Sequence, residues 1–417
     1  MTGRPMGDQI ATRTDATGTT VHLQAAETAE QSTTWAYATL PAGPVWKVEI
    51  ASTTDPLASS PTWVDVSEWV DMLETTAGRD DELDDASPGR ARIVFDDPTR
   101  ELGPGLLAEP SRRIRVTTTA PVAASVFHGL IDDISTLVGR GREIAVEIAA
   151  VDMLCLLAAD TVSTFEDGIG DGDTTGQRIT RVLDTVGIPA ALRSVDTGRS
   201  YLLAHTATTE SALVYANKVT RTEDGRLTAA GDGTITFQER YAITPAVSLV
   251  ITDAGTGDVV PPVVLTRYGI DRVITVAEVE WAAGRIQTID NDATPYRARR
   301  ARQFTTFIDT ELRAVTYSEW ILMLRSTPLR RISSAQFVCT NSAMTVALLG
   351  VERGTRVQLV RTPDVGDPIT VTATVERITW RAEGMVTTCT LGFTPVPDFT
   401  PWTWADKWDD ASTVWAY

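Results

Sequence analysis

The sequence predicts a mainly β protein, with two related β-barrel domains and a small helix-containing α+β insert between them. Three patterns lead there. From Glu143 to Ala149 apolar and other residues alternate, with Ile144, Val146 and Ile148 sharing one face, the period of a half-buried strand. Ile179, Val182, Leu183 and Val186 instead recur at helical spacing. A run of three β-like segments near 113–149 then returns, in the same order and at nearly the same spacing, near 356–393.

Taken in order, residues 1–43 are polar, rich in Thr, Ala, Gln and Asp, and read as an N-terminal arm. Residues 44–157 form the first β-barrel domain. Ala91, Ile93 and Phe95 alternate before a turn at Asp96, Asp97 and Pro98, and Ile114 with Val116 and then Val126 to Ile131 supply further strands. Residues 158–240 are the α+β insert. An acidic, Gly-rich loop runs from Phe165 to Gly176. A helix follows with Thr175 as its cap, Gly187 as its stop and Pro189 beyond. A second helix spans Glu210 to about Thr220 and ends at Gly225. A hairpin then pairs Leu227 with Ile235 and Phe237 around Gly231-Asp232-Gly233.

Residues 241–318 form a β-rich connecting domain with a clear strand from Val273 to Trp281 and a basic cluster of Arg297, Arg299, Arg300 and Arg302. Residues 319–395 are the second β-barrel domain. Thr316 and Glu319 have capping-box spacing before the apolar run Trp320 to Leu324, so a short helix is expected to start there. Residues 396–417 are a Trp-rich C-terminal tail: Trp402, Trp404, Trp408 and Trp415, four of the chain's eleven tryptophans.

The recurrence aligns Arg113-Ile114-Arg115-Val116 with Arg356-Val357-Gln358-Leu359, and Ile131-Asp132-Asp133-Ile134 with Val375-Glu376-Arg377-Ile378. Identity is low, yet an internal duplication has a geometric consequence. Three chains with two similar modules each, closed into a ring, present six nearly equivalent modules.

Composition narrows the function. A net charge of −18 argues against a dedicated nucleic-acid binder, which needs clustered Lys and Arg. An acidic wall suits a conduit that repels DNA, or simply keeps the chain soluble. Cys155, Cys339 and Cys389 are few, odd in number and set in apolar or Thr-rich runs, as expected of packed free thiols in a reducing compartment. The first forty residues lack the basic start and apolar block of a signal peptide, and no stretch reaches transmembrane length, so no membrane anchor is expected.

Catalytic patterns are missing from the sequence. His22, His128 and His205 are scattered, and there is no HExxH, GxSxG, P-loop or CxxC motif. His128 lies in a strand and is expected to be packed or hydrogen-bonded. Glu166, Asp167, Asp171 and Asp173 lack the ordered ligand spacing of a calcium loop and are read as solvated. The run Asp80, Asp81, Glu82, Asp84, Asp85 is read the same way. Neither a cofactor nor an enzymatic activity is expected. Arg297, Arg299 and Arg300 are read as interface residues that pair with carboxylates on another chain, and the tail tryptophans as anchors in a neighbour or as sugar-stacking rings. Ser32 to Tyr37 echoes Ser412 to Tyr417, which suggests one docking mode for both termini.

An ordered series of blocks resembles the minor tail proteins of long-tailed bacteriophages. It comprises Trp63-Val64-Asp65-Val66-Ser67, Gly78-Arg79 with Glu82-Leu83, Ala91 to Asp97, Phe127-His128-Gly129-Leu130-Ile131-Asp132 and Val151-Asp152-Met153-Leu154. In the insert it continues with Arg178-Ile179, Val182-Leu183-Asp184, Asp196-Thr197-Gly198 and Glu223-Asp224-Gly225, ending at Phe237 to Arg240. Residues 46–240 carry it well and 320–395 loosely. Asp96-Asp97 departs from the family's common Asn.

The resemblance implies a tail-tip hub: a homotrimer whose two tube-type barrels line a channel and adapt a six-fold tube to a three-fold tip. It implies a distal tail protein ring above, fibre or other minor tail proteins below, a tape-measure protein terminus in the channel, and genomic DNA only in passage. The place implied is the virion tail tip, assembled in the host cytoplasm. The rival readings are a carbohydrate-binding receptor protein and a wall-degrading tail enzyme.

Overall fold

A computed structural model describes Ala11–Thr14, Thr20–Leu23 and residues 43–396 apart from 97–101, 103–106, 140–141, 207, 241, 243–245, 253–262, 268–271, 282–283, 291–298, 327–330 and 363–368. The chain divides into two compact units, Met1–Pro41 and Ala42–Tyr417. In the first, β1 (Ala11–Thr14) and β2 (Thr20–Leu23) pair antiparallel, with Ala11 opposite Leu23. Asp97 and Pro98 of the expected turn, and the paired terminal segments 32–37 and 412–417, lie outside the described residues.

In the second unit seven strands come first: β3 (Val45–Ala51), β4 (Trp63–Asp65), β5 (Val70–Gly78), β6 (Arg90–Phe95), β7 (Arg113–Ala120), β8 (Ala124–Gly139) and β9 (Arg142–Asp152). They order as β5-β6-β9-β8-β7-β3-β4, with every neighbouring pair antiparallel. Alternation sets the buried face: Val48, Ile50, Leu73, Ile93, Phe95, Ile114, Val116 and Ile148 are fully buried in one cluster.

The insert follows with α1 (Leu154–Ala159), α2 (Thr175–Val186), β10 (Arg193–Val195), α3 (Ala212–Glu223), β11 (Arg226–Ala229) and β12 (Ile235–Gln238). The cap of α2 is Thr174, one residue before the expected Thr175. Its hydroxyl accepts from the Gln177 N–H while Gln177 Oε1 accepts from the Thr174 N–H, a reciprocal box. Gly187, at φ 80°, ends the helix as expected. Helix α3 stops at Asp224, itself left-handed at φ 55°, rather than at Gly225. Leu227 lies opposite Phe237, as the hairpin pattern predicted. The apolar faces of α2 and α3 meet in one core of Ile179, Val182, Leu183, Tyr215, Ala216 and Val219.

The last segment holds β13 (Leu249–Thr252), β14 (Val263–Arg267), β15 (Val276–Trp281), β16 (Arg285–Asp290), β17 (Ala301–Thr305), α4 (Glu311–Arg325), β18 (Arg331–Val338), α5 (Ser342–Leu349), β19 (Arg356–Arg361), β20 (Ile369–Glu383) and β21 (Val386–Pro395). Strands β15 to β17 form a separate three-stranded sheet whose core is shared with α4. Helix α4 begins at Glu311, five residues before the expected cap. Thr316 Oγ1 donates to the Leu312 carbonyl at 3.0 Å, so its hydroxyl serves the helix interior and is not a cap.

The remaining strands repeat the first module. Their order is β14-β18-β21-β20-β19-β13, to be set beside β5-β6-β9-β8-β7-β3. Strands β8 and β20 each carry one bulged residue against the strand that follows, Asp132 and Glu376, the two acids that the sequence alignment put opposite each other. One difference stands out: β3 runs antiparallel to β7, whereas β13 runs parallel to β19.

The expected closed barrels are not found among the described strands. At Glu376, β20 changes partner: Ile369–Thr374 pair with β19, whereas Arg377–Glu383 pair with β5 of the first module. Thirteen strands thus form one continuous sheet. In the second module this edge of β20 is thus taken by β5, and in the first the matching edge of β8 closes on no strand among the described residues.

Candidate functional site

The switch of β20 to β5 rests on Gly78-Arg79, the pair singled out in sequence. Gly78 sits at φ 109°, and a Cβ there would stand 2.0 Å from the Glu376 carbonyl oxygen, so only glycine admits the approach. The Arg79 N–H donates to that carbonyl at 3.1 Å. Arg79 Nε donates to Glu376 Oε2 at 3.0 Å and Arg226 Nη2, from β11, to Oε1 at 2.6 Å. Both carboxylate oxygens are therefore used, on a residue 2 % exposed. One bulged glutamate ties together β5, β20 and the insert.

The acidic run that follows is solvated at its ends, where Asp80 and Asp85 are exposed as expected, but not in its middle. Asp81 is buried and accepts from Arg325 at 2.6 Å and Arg272 at 2.5 Å. Arg325 also reaches Glu82 at 2.8 Å, and Arg302 reaches Asp84 at 3.2 Å. Asp80 pairs with Arg377 and Asp85 with Arg221. Burial, opposed by Arg325, pushes the Glu82 carboxyl up to about 7, and burial pushes Asp224 up to about 6. The run reads as surface because its partners lie between 136 and 297 residues away. No local pattern announces them.

Of the predicted interface residues, Arg299 and Arg300 lead into β17 and line a cleft of about 580 Å3 together with Arg272, Arg302 and Arg325. Arg299 is exposed and Arg300 half-buried. Five arginines line the cleft beside Asp81 and Asp84, and three of them, Arg272, Arg302 and Arg325, are paired with these carboxylates and Glu82. Arg272 and Arg325 were missed in sequence, each being a lone arginine beside an apolar segment. Arg297 and the tryptophans Trp402, Trp404, Trp408 and Trp415 lie outside the described residues.

His128 is buried and hydrogen-bonded, as its strand position suggested. Its Nε2 accepts from Arg113 Nε at 2.9 Å, which fixes the neutral tautomer with Nδ1–H donating to the Asp232 carbonyl at 2.7 Å. A proton on Nε2 would face a guanidinium N–H. Burial first and Arg113 second lower the imidazole to about 4. Arg115 stacks over Trp63, 4.2 Å from the ring centroid, and binds Glu49 at 2.7 Å. The histidine thus joins the first module to the insert hairpin.

In the 166–173 loop, Asp173 is engaged by Arg178 at 3.1 Å and Arg181 at 2.8 Å. Among the described residues no group of three or more His, Cys, Asp or Glu side chains is arranged to hold a metal ion. No helix among them is long and apolar enough to cross a membrane. Burial pushes the Cys155 thiol up to about 12 and Cys339 up to about 11, which makes them packing groups rather than nucleophiles.

Several strands end their sheets with one partner among the described residues, β4 and β13 included, and two further open edges lie on the rows related to the β5–β20 ladder. Beyond the bulge at Asp132, β8 pairs only with β9, and β14 pairs only with β18. On β14, Leu265 is 44 % exposed.

No family model and no curated protein matches the chain. Solved structures do. The prophage MuSo2 43 kDa tail protein from Shewanella oneidensis aligns with 86 % of this chain and 100 % of its own, at 12 % identity and a TM-score of 0.55. The tail protein from Neisseria meningitidis MC58 aligns with 84 % of this chain and 96 % of its own, at 9 % identity and a TM-score of 0.55. The chain has the fold of these prophage tail proteins.

Proposed function

We propose that this chain is a non-enzymatic structural protein of a phage tail, a hub that closes into a ring at the tail tip. The observation that carries the reading is the β5–β20 ladder, which sets two modules of equivalent strand order side by side within one chain. Repeating that step between chains gives a closed ring, and three chains supply six modules. Such a ring fits a six-fold tube on one side and a three-fold tip on the other. In it the row of strands from β14 to β8 closes into one barrel across the copies, which removes the open edges of β14 and β8. The second module runs from β13 to β21, interrupted by the β15–β17 and α4 segment.

The fold shared with two prophage tail proteins supports a place in the virion tail. A net charge of −18 supports a channel that lets DNA pass without holding it. The partners in this reading are a distal tail protein ring, a tape-measure protein terminus, and other minor tail or fibre proteins, with the arginine cleft and the Trp-rich tail as docking surfaces. The test is the native mass of the purified protein together with the rotational symmetry of its particles. A trimer with pseudo-six-fold density is expected; a strictly monomeric chain sinks the proposal.

A further inference from the structure

The two modules align residue by residue through their ladders. In the first, Leu73, Ile93, Ile148 and Ile134 lie in one row across β5, β6, β9 and β8. In the second, Val264, Ala335, Leu391 and Ile378 lie in one row across β14, β18, β21 and β20. The bulges Asp132 and Glu376 stand two residues before Ile134 and Ile378. Both hairpins close alike, Gly139 opposite Arg142 and Glu383 opposite Val386. Val264 therefore corresponds to Leu73, and Ile134 to Ile378.

Counting on from Val264 brings Gly269 onto Gly78, so the glycine required where β5 meets Glu376 recurs in sequence. Gly269 itself lies outside the described residues. Within the chain, β5 occupies the second half of β20. Among the described residues, the equivalent half of β8, residues 133–139, has no second strand, and β14, the equivalent of β5, has no second partner.

Resting on the ring reading above, the geometry points to a defined seam between copies: β14 of one chain adds antiparallel to the β8 edge of the next. Transferring the observed register sets Val264 opposite Val138, Leu265 opposite Leu137 and Arg267 opposite Ser135, just as Leu73 lies opposite Ala382 and Thr76 opposite Thr379. The occupant is a second copy of this chain because it carries the strand, the register and the glycine that this edge accepts inside one chain. The exposed Leu265 then gains a neighbour.

Thr76 Oγ1 and Thr379 Oγ1 lie 3.2 Å apart, so side chains at this pair of positions meet. Cysteines at the corresponding pair satisfy disulfide geometry only if the seam exists. The experiment compares full-length Thr76→Cys with Thr379→Cys, Arg267→Cys with Ser135→Cys, and Thr266→Cys with Ser135→Cys, each in a Cys155→Ala background. Mild oxidation and non-reducing electrophoresis follow, with native mass measured in parallel. The first pair is expected to cross-link within the monomer. The second is expected to convert the monomer band into a species of three times its mass, and the third, out of register, is not.

Mixing the two single variants Arg267→Cys and Ser135→Cys is expected to give a covalent dimer, because each chain then offers one half of the pair. A native trimer in which neither the double variant nor the mixture cross-links overturns the seam and leaves the ring reading standing. Equal yield from the out-of-register pair overturns the register. A monomeric native mass overturns both ring and seam.

Discussion

Arg79 and Glu376, 297 residues apart, meet through two hydrogen bonds, one from the backbone N–H of Arg79 and one from its guanidinium. The pair joins the first module to the second at the residue where β20 bulges. With Arg226 it leaves no oxygen of the buried carboxylate unpaired. Removing one partner of such a cluster strands a charge away from water.

Glu376→Ala is therefore expected to cost about 3–5 kcal/mol, the usual cost of breaking a buried pair. Chemical denaturation monitored by circular dichroism measures it. A loss below about 1 kcal/mol would show that the cluster does not tie the modules together.

Gly78→Ala tests the close approach of the two backbones. Gly187, also at positive φ, has open space around its Cβ position, so Gly187→Ala is expected to cost only the left-handed penalty of about 1–2 kcal/mol. Gly78→Ala has that penalty plus a clash with the Glu376 carbonyl, and should lower the melting temperature clearly further. Equal melting temperatures for the two variants would count against a forced contact.

The pH dependence of His128 follows from its tautomer. Its folded value of about 4 lies below the ordinary imidazole value of 6.5, so in this window the unfolded chain binds a proton that the folded chain does not. Stability from this group is fully present above 6.5 and is lost as pH falls toward 4. His128→Gln keeps an acceptor for Arg113, and should flatten that limb by about 2 kcal/mol between pH 7 and pH 4.5 relative to the parent, at about 1.4 kcal/mol per unit. Denaturation series at pH 7 and pH 4.5 give the difference. An unchanged slope would mean that the imidazole is not held neutral.

Arg299→Glu with Arg300→Glu reverses charge at the rim of the arginine cleft without touching a core. Folding stability is expected to change by no more than about 0.5 kcal/mol. Attachment of partner proteins, read by co-sedimentation of assembled tails, is expected to weaken and to lose its salt sensitivity. Full attachment at low and high salt alike would remove the cleft from the assembly surface.

Much of the local structure was legible. Ile179 to Val186 announced α2 because one face must be apolar and Gly187 must end it. Leu227 and Phe237 announced a hairpin through Gly231-Asp232-Gly233. Helices α1 and α5 escaped because each is short, and Asn341, which caps α5 by accepting from the Met344 N–H at 2.8 Å, resembles any loop asparagine. Asp81 escaped for a different reason. A carboxylate in an acidic run looks solvated until two distant arginines bury it.

The sequence by itself determined many of the strands, helices α2 and α3, and that one series of β-like segments recurs near 113–149 and 356–393. Those are properties of neighbours along the chain, written in periods of 2 and 3.6 and in the conformational freedom of glycine. Only the tertiary structure decided that β20 leaves β19 for β5, that β8 keeps an open edge among the described strands, and that Asp81 is buried by Arg272 and Arg325. A strand's second edge has no period and no side-chain signature. Its partner is settled when segments hundreds of residues apart compete for the same row of N–H and C=O groups.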